Sequence, residues 1–528
     1  MSLLSRPADG DRIPLRTWFG FIMMCLGMFM AILDIQIVAT SLPTIQGALK
    51  LRPEQMSWIQ TAYLTAEVVA IPLTGFLTRA LSMRWLFVAA VVLFTLASIG
   101  CAASGDFTTI VVFRVVQGFS GGTLIPAVFA AVFLLFPVRV EGLATTIAGV
   151  LAVLAPTVGP IVGGWITQTY SWRWLFLVNV LPGLIAATGA ALALPRARMQ
   201  VGLVRTLDLI ALAAAALALT ALEIGLKDAP SLGWLSPQVF ALFAVSAASA
   251  LVFVFRSLRS RTPIVELRTF GDRNFALGCV LSFALGTGLF GSVYLMPVFL
   301  AFVRGHGSLA IGQIMLVTGA AQLVMAPVAV ALERRVDARI LAFLGFAVFA
   351  VGLALSTFQS TATDFGPMVW PQLVRGAAIM FCLLPPTRLA LGRLAPAVVP
   401  DASGLFNLMR NLGGAIGLAL IDTVIYGRTP THVAAIVSRL QAGDLDTARA
   451  VGIPLALFRK NVGKPPDPQT LALLRPLVQR LALTQAINEA WAMLAIFAAA
   501  ALVVVVFAAR DGPAAGDLPS PAEGLATA

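Results

Sequence analysis

Gly75-Phe-Leu-Thr-Arg-Ala-Leu-Ser-Met-Arg-Trp-Leu86 returns 255 residues later as Val330-Ala-Leu-Glu-Arg-Arg-Val-Asp-Ala-Arg-Ile-Leu341, with leucine or arginine at the same four places. Pro72 matches Pro327 at the same offset. Such a repeat predicts two halves in the same orientation, related by an axis along the membrane normal. This plan is typical of transporters, in which the substrate path runs between the halves.

Apolar stretches fill the chain from Thr17 to Arg510. Because the hydrocarbon core of a bilayer is about 30 Å thick, a spanning helix needs about 20 apolar residues. The backbone inside lipid must also form its own hydrogen bonds. The sequence therefore predicts an all-α polytopic membrane protein with fourteen transmembrane helices, at 17–42, 54–78, 84–104, 108–134, 143–167, 173–194, 207–226, 236–258, 274–299, 309–332, 340–358, 366–391, 403–427 and 485–509.

The repeat also sets the predicted domain organisation. Arg114 and Gly118 have a looser counterpart in Arg375 and Gly376. Two six-helix halves with two helices inserted between them account for these matches. We therefore predict a first half at 1–206, inserted helices at 207–258, a second half at 259–510 with an outer loop at 428–484, and a disordered tail at 511–528.

Composition and charge agree with a membrane protein. Of the 528 residues, 59% are hydrophobic and 11% are charged, and the net charge is +12. The predicted inner segments hold 20 Lys and Arg against 5 in the short outer loops. This asymmetry sets orientation, so we predict a multi-pass protein of the bacterial inner membrane with both termini in the cytoplasm. It also explains the positive charge without nucleic acid as a partner.

Several motifs resemble one family over nearly the whole chain. They are Leu33-Asp-Ile-Gln-Ile-Val-Ala-Thr-Ser-Leu-Pro43, the loop from Gly75 to Arg84, Arg114-Val-Val-Gln-Gly118, Gly159-Pro-Ile-Val-Gly-Gly164, Trp172-Arg-Trp-Leu-Phe-Leu-Val-Asn179 and Arg410-Asn-Leu-Gly-Gly414. Together they resemble the 14-helix drug:proton antiporter branch of the major facilitator superfamily. The resemblance implies proton-driven export by alternating access, and it names no substrate.

Three ionisable residues inside the spans are the candidates for proton coupling, because charge in lipid is costly and marks functional sites. Asp34 lies eight residues from the outer end of its span, or about 12 Å, and Arg114 lies at about 9 Å. Their matched depth predicts a coupling pair, with a structural ion pair as the alternative. Glu67 lies near the midplane and could bind a proton or a cationic substrate, or be a protonated carboxyl bonded to a neighbouring helix.

Other residues are predicted to line the cavity or to shape the helices. Polar side chains of the same spans are candidates for the substrate cavity: Gln36, Tyr63, Gln117 and Asn179, with Glu67. Glycines at a spacing of four leave a helix face bare, so helix packing and conformational change are assigned to Gly159, Pro160, Gly163 and Gly164. Further packing residues at the inner ends are Gly75, Arg79, Arg84, Glu141 and Arg410.

Arg79 departs from the family pattern, which usually has an acidic residue at this position of the loop. Glu141, in the next inner loop, occupies a place where relatives commonly have a basic residue. A swapped ion pair between Arg79 and Glu141 is therefore a hypothesis for this chain.

Transport is the predicted function, with hydrophobic, cationic or amphipathic compounds exchanged for protons and no cofactor. Export of an endogenous metabolite, such as a siderophore or lipid precursor, is the alternative. An enzyme or a channel is a third possibility, which the sequence disfavours because His306 and His432 lie in outer loops and no ATP-binding loop occurs. The outer loop is either a lid or a docking surface for a periplasmic adaptor and its outer-membrane channel.

Overall fold

The computed structural model describes residues 13–51, 53–197, 199–200, 202–203, 207–260, 263–333, 335–456, 458 and 468–507. The described part is helical and contains no strand. The helices are α1 Leu15–Leu49, α2 Pro53–Ala103, α3 Phe107–Leu135, α4 Val138–Thr169, α5 Trp174–Leu177, α6 Val180–Ala193, α7 Leu209–Leu232, α8 Pro237–Arg259, α9 Arg273–Val298, α10 Ser308–Glu333, α11 Ala338–Leu355, α12 Phe365–Leu391, α13 Val399–Gln441, α14 Leu445–Val451 and α15 Pro468–Val506.

Thirteen helical segments of the described chain are long and apolar enough to cross a membrane. One of them, Trp58–Ala103, is 46 residues long and contains two of the predicted spans. The chain breaks between these two spans at Ser82, whose φ is 68° and ψ is 154°. A non-glycine residue with positive φ is uncommon and cannot continue a helix. The all-α membrane fold is confirmed, and the predicted count of fourteen is consistent with this break.

The side at which α1 begins is called the inner side. The two predicted halves are in contact at this side. Ser403, near the start of α13, donates a hydrogen bond of 2.9 Å to the carbonyl oxygen of Pro126 in α3. A Cβ atom at Gly404 would lie 3.0 Å from the carbonyl oxygen of Ile71 in α2. The backbones of α2, α3 and α13 are therefore in close contact at this end.

The inserted helices α7 and α8 pack against each other. Of the two, α7 makes more contact with the remaining helices. Ser246 of α8 donates a hydrogen bond of 2.8 Å to the carbonyl oxygen of Ala218 in α7. Only 11% of the residues in the most apolar stretch of α8 are buried, so most of the α8 surface does not contact other helices. The loop after α7 reaches the second half, since the indole of Trp234 donates to the Thr423 hydroxyl at 2.9 Å. Helix α7 thus lies against both halves, and α8 lies outside it.

The outer segment differs from its prediction in one respect. Apolar residues at roughly helical spacing in 432–440 and 471–480, on either side of Pro465, Pro466 and Pro468, predict two short amphipathic helices separated by a proline break. Both stretches are helical, but they are continuous extensions of the spans, because α13 runs on to Gln441 and α15 begins at Pro468. A small apolar core holds the extensions together, formed by Ile436, Val451, Val478 and Ala482. Of the expected break, Pro465 and Pro466 lie outside the described residues, as does the tail 511–528.

Candidate functional site

Asp34 and Arg114 form an ion pair in the interior of the first half. Nη1 of Arg114 donates to Oδ2 of Asp34 at 2.6 Å, and both side chains have no solvent exposure. The Nε atom of the same arginine donates to the carbonyl oxygen of Ile59 at 3.0 Å. The structure therefore brings together the two residues that the sequence paired by depth.

Glycines in α3 allow the close packing that positions Arg114. A Cβ atom at Gly118 would lie 2.2 Å from the carbonyl oxygen of Tyr63, and one at Gly122 would lie 2.5 Å from that of Glu67. Only glycine leaves room for the α2 backbone at these distances. The approach places the Tyr63 ring 4.3 Å from the guanidinium carbon of Arg114, in a cation–π contact.

Amide side chains complete the shell around Asp34. Oδ1 of Asp34 accepts from Nε2 of Gln117 at 3.0 Å and from Nδ2 of Asn179 at 2.7 Å. The Gln117 amide also donates to the Ser98 hydroxyl at 2.8 Å. Asn179 lies in the short turn between α5 and α6, where the backbone keeps helical dihedral angles, with φ −75° and ψ −17° at Asn179. The carboxylate thus receives three donors, the full environment that a buried charge requires.

The predicted cavity residues occupy two kinds of place. Tyr63, Gln117 and Asn179 are all buried and belong to the shell of the ion pair in this structure. Gln36 lies instead against α4, where a Cβ atom at Gly159 would meet the Gln36 Cβ at 2.4 Å. The glycine spacing predicted a bare face on α4, and at Gly159 this face packs against Gln36 of α1.

The rest of the glycine motif lies further along α4. Gly163 and Gly164 are buried, and their carbonyl oxygens accept from the Thr167 hydroxyl at 2.7 and 3.1 Å. The side chain of Pro160 lies outside the described part of the structure.

Glu67 lies in α2 with 5% of its surface exposed. Glu223 of the inserted helix α7 is close enough to interact with it electrostatically. A further contact joins α7 to α2: the ammonium of Lys227 lies 4.8 Å from the centre of the Trp58 ring. Glu223 is not among the residues predicted from the sequence, although an acidic residue in an apolar span is itself a signal of function.

Arg79 joins the two halves at their inner ends. Its Nη1 donates to Oδ2 of Asp401 in α13, and its Nη2 donates to the carbonyl oxygen of Pro263 at 3.3 Å. A Cβ atom at Gly75 would overlap the Asp401 side chain, so glycine is required where α2 meets α13. A cavity of about 240 Å³ lies beside this pair, lined in part by Glu266.

The predicted ion pair between Arg79 and Glu141 is therefore wrong. Arg79 has Asp401 as its carboxylate partner, because the close contact of α2 with α13 brings the opposite half nearer than the next inner loop. Glu141 lines a different, smaller cavity at the inner end, together with Glu333 and Arg388 of the second half.

The two remaining inner arginines also contact aromatic rings. The Arg84 guanidinium lies 5.3 Å from the centre of the Trp85 ring. Arg410 donates to Oδ1 of Asn407 one turn before it, and its guanidinium lies 5.3 Å from the Phe129 ring in α3. Since Phe129 belongs to the first half and Arg410 to the second, this contact adds to the inner junction of the halves.

Comparisons with known proteins agree with this architecture. The sequence profile of the Major Facilitator Superfamily matches residues 24–418. The chain is 35% identical to the "Colistin resistance protein EmrB" of Acinetobacter baumannii over 501 residues, which cover 94% of this chain and 98% of that relative. It is 30% identical to the "Multidrug export protein EmrB" of Escherichia coli K12 over 433 residues, with coverage of 82% and 84%.

A third relative and a solved structure extend the likeness. The "Fatty acid resistance protein FarB" of Neisseria gonorrhoeae is 30% identical over 410 residues, which cover 77% of this chain and 80% of that relative. The fold resembles that of the proton:xylose symporter XylE, with a TM-score of 0.58 at 13% identity, over 94% of this chain and 97% of that one. At this identity the likeness concerns the fold alone.

The junction of Arg79 with Asp401 gives a first prediction. Arg79→Gln and Asp401→Asn should each lower the thermal unfolding midpoint of the purified protein, because each leaves a charge without its partner. In the double variant the losses should not add, with a coupling free energy of about 1 kcal/mol or more. The matched control is the cycle of Arg79→Gln with Glu141→Gln, which should be additive. Coupling in the control cycle with additivity in the first would contradict the assignment.

Proposed function

Because this chain belongs to the major facilitator superfamily, we propose that it exports hydrophobic, cationic or amphipathic compounds in exchange for protons, by alternating access of its two halves. The observation that carries the proposal is the fully buried pair of Asp34 and Arg114. The multidrug, colistin and fatty acid resistance named for the relatives supports export and spans several chemical classes. The resemblance to the antiporter branch is confirmed at the level of the family.

The geometry suggests how a proton would act at this pair. An isolated charge buried in a medium of low polarity is costly, so Asp34 and Arg114 hold each other in place while both are charged. A proton on Asp34 would remove the negative charge and weaken the bond from Arg114. The protonated carboxyl would also be a weaker acceptor for Gln117 and Asn179, whose amides converge on it. Since Asn179 lies in the turn between α5 and α6, a weaker bond would loosen the contact of this turn with α1.

The inner junction would be the element that this change acts on. In the structure α2, α3 and α13 are in contact at their inner ends, where Arg79 bonds to Asp401. A transporter with its halves joined at one end exchanges substrate at the other. Helices α2 and α3 carry both the inner contacts and residues of the coupling pair's shell, Tyr63 and Arg114. The coupling pair and the junction therefore share rigid elements.

The two carboxylates Glu67 and Glu223 support the preference for positively charged groups. They lie on adjacent helices within the membrane span, and a cationic substrate would relieve their mutual repulsion. In this proposal Glu67 recognises charge and the inserted helix α7 contributes to recognition. An uncharged compound would gain nothing from either carboxylate.

An enzymatic role has less support than transport. His306 and His432 lie at the outer side, 3.0 Å from Asp364 and 3.0 Å from Glu489, respectively. Arg304 also binds Asp364, and its hydrogen bond lowers the pKa of that carboxyl to about 2. Each histidine thus shares a carboxylate with an arginine, His306 with Arg304 at Asp364 and His432 with Arg428 at Glu489.

The location and partners follow from the same proposal. The many apolar helices indicate a multi-pass membrane protein. We place it in the bacterial inner membrane with both termini in the cytoplasm, on the charge asymmetry of its loops. The extensions of α13 and α15 and the helix α14 form an outer structure with its own apolar core. That structure is a candidate docking surface for a periplasmic adaptor leading to an outer-membrane channel.

Replacement of Asp34 by Asn tests the coupling role. In proteoliposomes with an imposed pH gradient, Asp34→Asn should abolish substrate-driven proton movement, since the amide cannot take up the proton. The matched control is Asp106→Asn, at the N-cap of the helix that carries Arg114, where Asn also caps well. The control should transport normally. Coupled transport by Asp34→Asn at the wild-type rate would reject the role.

Charge recognition by Glu67 has its own test. Glu67→Gln should weaken export of a lipophilic cation about tenfold or more while changing export of a neutral compound of similar size little, because only a charge is removed. Glu223→Gln should show the same preference to a smaller degree. Equal losses for cationic and neutral compounds would assign both residues to structure.

Replacement of Val437 and Leu473 by Ser tests adaptor docking, since both are exposed apolar side chains on the extensions of α13 and α15. If this surface docks a partner, the double variant should transport in proteoliposomes but lose drug resistance in cells. The control is a second variant with a shuffled sequence of the same composition at the tail 511–528, which should keep both. Loss of transport in proteoliposomes by the double variant would favour a lid instead.

A further inference from the structure

The second half repeats the buried arginine of the first half without its carboxylate. Arg375 lies in α12 as Arg114 lies in α3. The partner ring of Arg114 comes from Tyr63, and at the repeat offset of 255 residues Tyr63 corresponds to Thr318, which contacts Arg375. The first half supplies Asp34 to its arginine, but no acidic side chain of the described residues pairs with Arg375.

The bonds that Arg375 does form are few and long. Its Nη2 atom donates to the Thr318 hydroxyl at 3.4 Å and to the sulfur of Met296 at 3.6 Å. Its Nε and Nη1 atoms are buried and have no hydrogen-bond partner. The side chain as a whole is 2% exposed. The guanidinium is therefore enclosed, and two of its three nitrogens are unsatisfied.

Two polar side chains near Arg375, those of Trp491 and Gln372, add further donors without a partner. The buried free acceptors on the adjoining turns, Oε1 of Gln322 and Oδ1 of Asn488, form no hydrogen bond with Arg375. Its guanidinium carbon lies 5.2 Å from the Trp491 ring, whose Nε1 atom is also buried without a partner. One turn earlier on α12, the Gln372 side chain uses its oxygen to accept from Thr318 at 3.1 Å, and its Nε2 atom has no partner. Arg and Trp carry donors only, so Nε and Nη1 of Arg375 and Nε1 of Trp491 outnumber the one acceptor that turning the Gln372 amide would provide.

A cluster of buried donors around a positive charge calls for a negative acceptor. A buried guanidinium without a counter-charge destabilises the folded protein, and each buried unsatisfied donor destabilises it further. Water offers acceptors but no charge. A single anion supplies both the charge and the acceptors, so it resolves the whole deficit at once.

We propose that Arg375, Gln372, Trp491 and Thr318 form an anion-binding site in the second half of the chain. The ligand is a monovalent anion, either chloride from solution or the carboxylate of a transported compound. Both sources share the chemistry that the donors recognise. The site goes beyond the proton pair and the two carboxylates, and it gives the second half a charge preference opposite to that of Glu67.

Anion-dependent thermal stability of the purified full-length protein tests the site without any transport. At constant ionic strength and pH, sodium chloride or low concentrations of decanoate should raise the unfolding midpoint over sodium isethionate, because a ligand that binds only the folded state stabilises it. Decylamine serves as the probe of opposite sign and should have no such effect. A rise with chloride alone identifies an inorganic anion, and a rise with decanoate alone identifies a carboxylate ligand; either supports the site.

Arg375→Gln should weaken this anion dependence about ten- to a hundredfold in apparent affinity, since charge-assisted bonds are lost. Arg375→Lys should keep part of it. Arg428→Gln, a surface arginine of the same half that pairs with Glu489, is the matched control and should keep all of it. If Arg375→Gln does not fold, Trp491→Phe removes one donor with little change in packing and should still weaken binding.

No anion-specific rise in the wild type, or an equal rise in Arg375→Gln, would overturn the proposal. The outcome is independent of proton exchange. A protein that binds anions at Arg375 but moves no protons would refute the proposed function and leave the site standing.

Discussion

Charge enclosed by protein within a membrane requires a counter-charge, and the pair of Asp34 with Arg114 shows how the first half supplies one from its own side chains. The two groups are fully buried, and every oxygen of the carboxylate has a donor. Their attraction holds α1 against α3, and the amide of Asn179 brings in the junction of α5 and α6. A group so dependent on one charge is sensitive to the gain of one proton.

Close backbone packing connects the helices around Asp34 to the contact between the two halves. Gly118 and Gly122 bring α3 against α2, and Gly75 brings α2 against α13 of the other half. The part of α2 before the break at Ser82 thus contacts the Asp34–Arg114 pair through Tyr63 and contacts α13 of the other half close to that break. Packed helices shift between discrete arrangements because protein interiors deform little. A rearrangement around Asp34 can therefore be transmitted through α3 and α2 to their contact with α13.

Hydrophobicity and depth were enough to predict the helices and the main pair. The spans follow from apolar length, and the pairing of Asp34 with Arg114 follows from their similar distances to the outer surface, calculated from the helical rise. The bond of Asn179 to Asp34 and the partner of Arg79 could not be predicted in this way. Both depend on contacts between segments far apart in the chain, such as the 322 residues between Arg79 and Asp401.

Two further features were hidden for different reasons. Glu223 was visible in an apolar span, but its significance depends on α7 lying against α2. The unsatisfied state of Arg375 depends on which neighbours are absent, and a sequence shows only which residues are present. The repeat did point to Arg375, since the arginine recurs. Its lack of a carboxylate became evident only when the surrounding donors were located.

The central claim is that the proton bound by Asp34 is exchanged for substrate. Proton release on substrate binding tests this claim most directly. The purified protein in weakly buffered detergent solution would be mixed with tetraphenylphosphonium, a lipophilic cation, while a pH indicator records released protons. The account predicts release from the wild type and none from Asp34→Asn at a substrate concentration that saturates both. Equal release from the two proteins would contradict it, because the exchanged proton would then belong to another group.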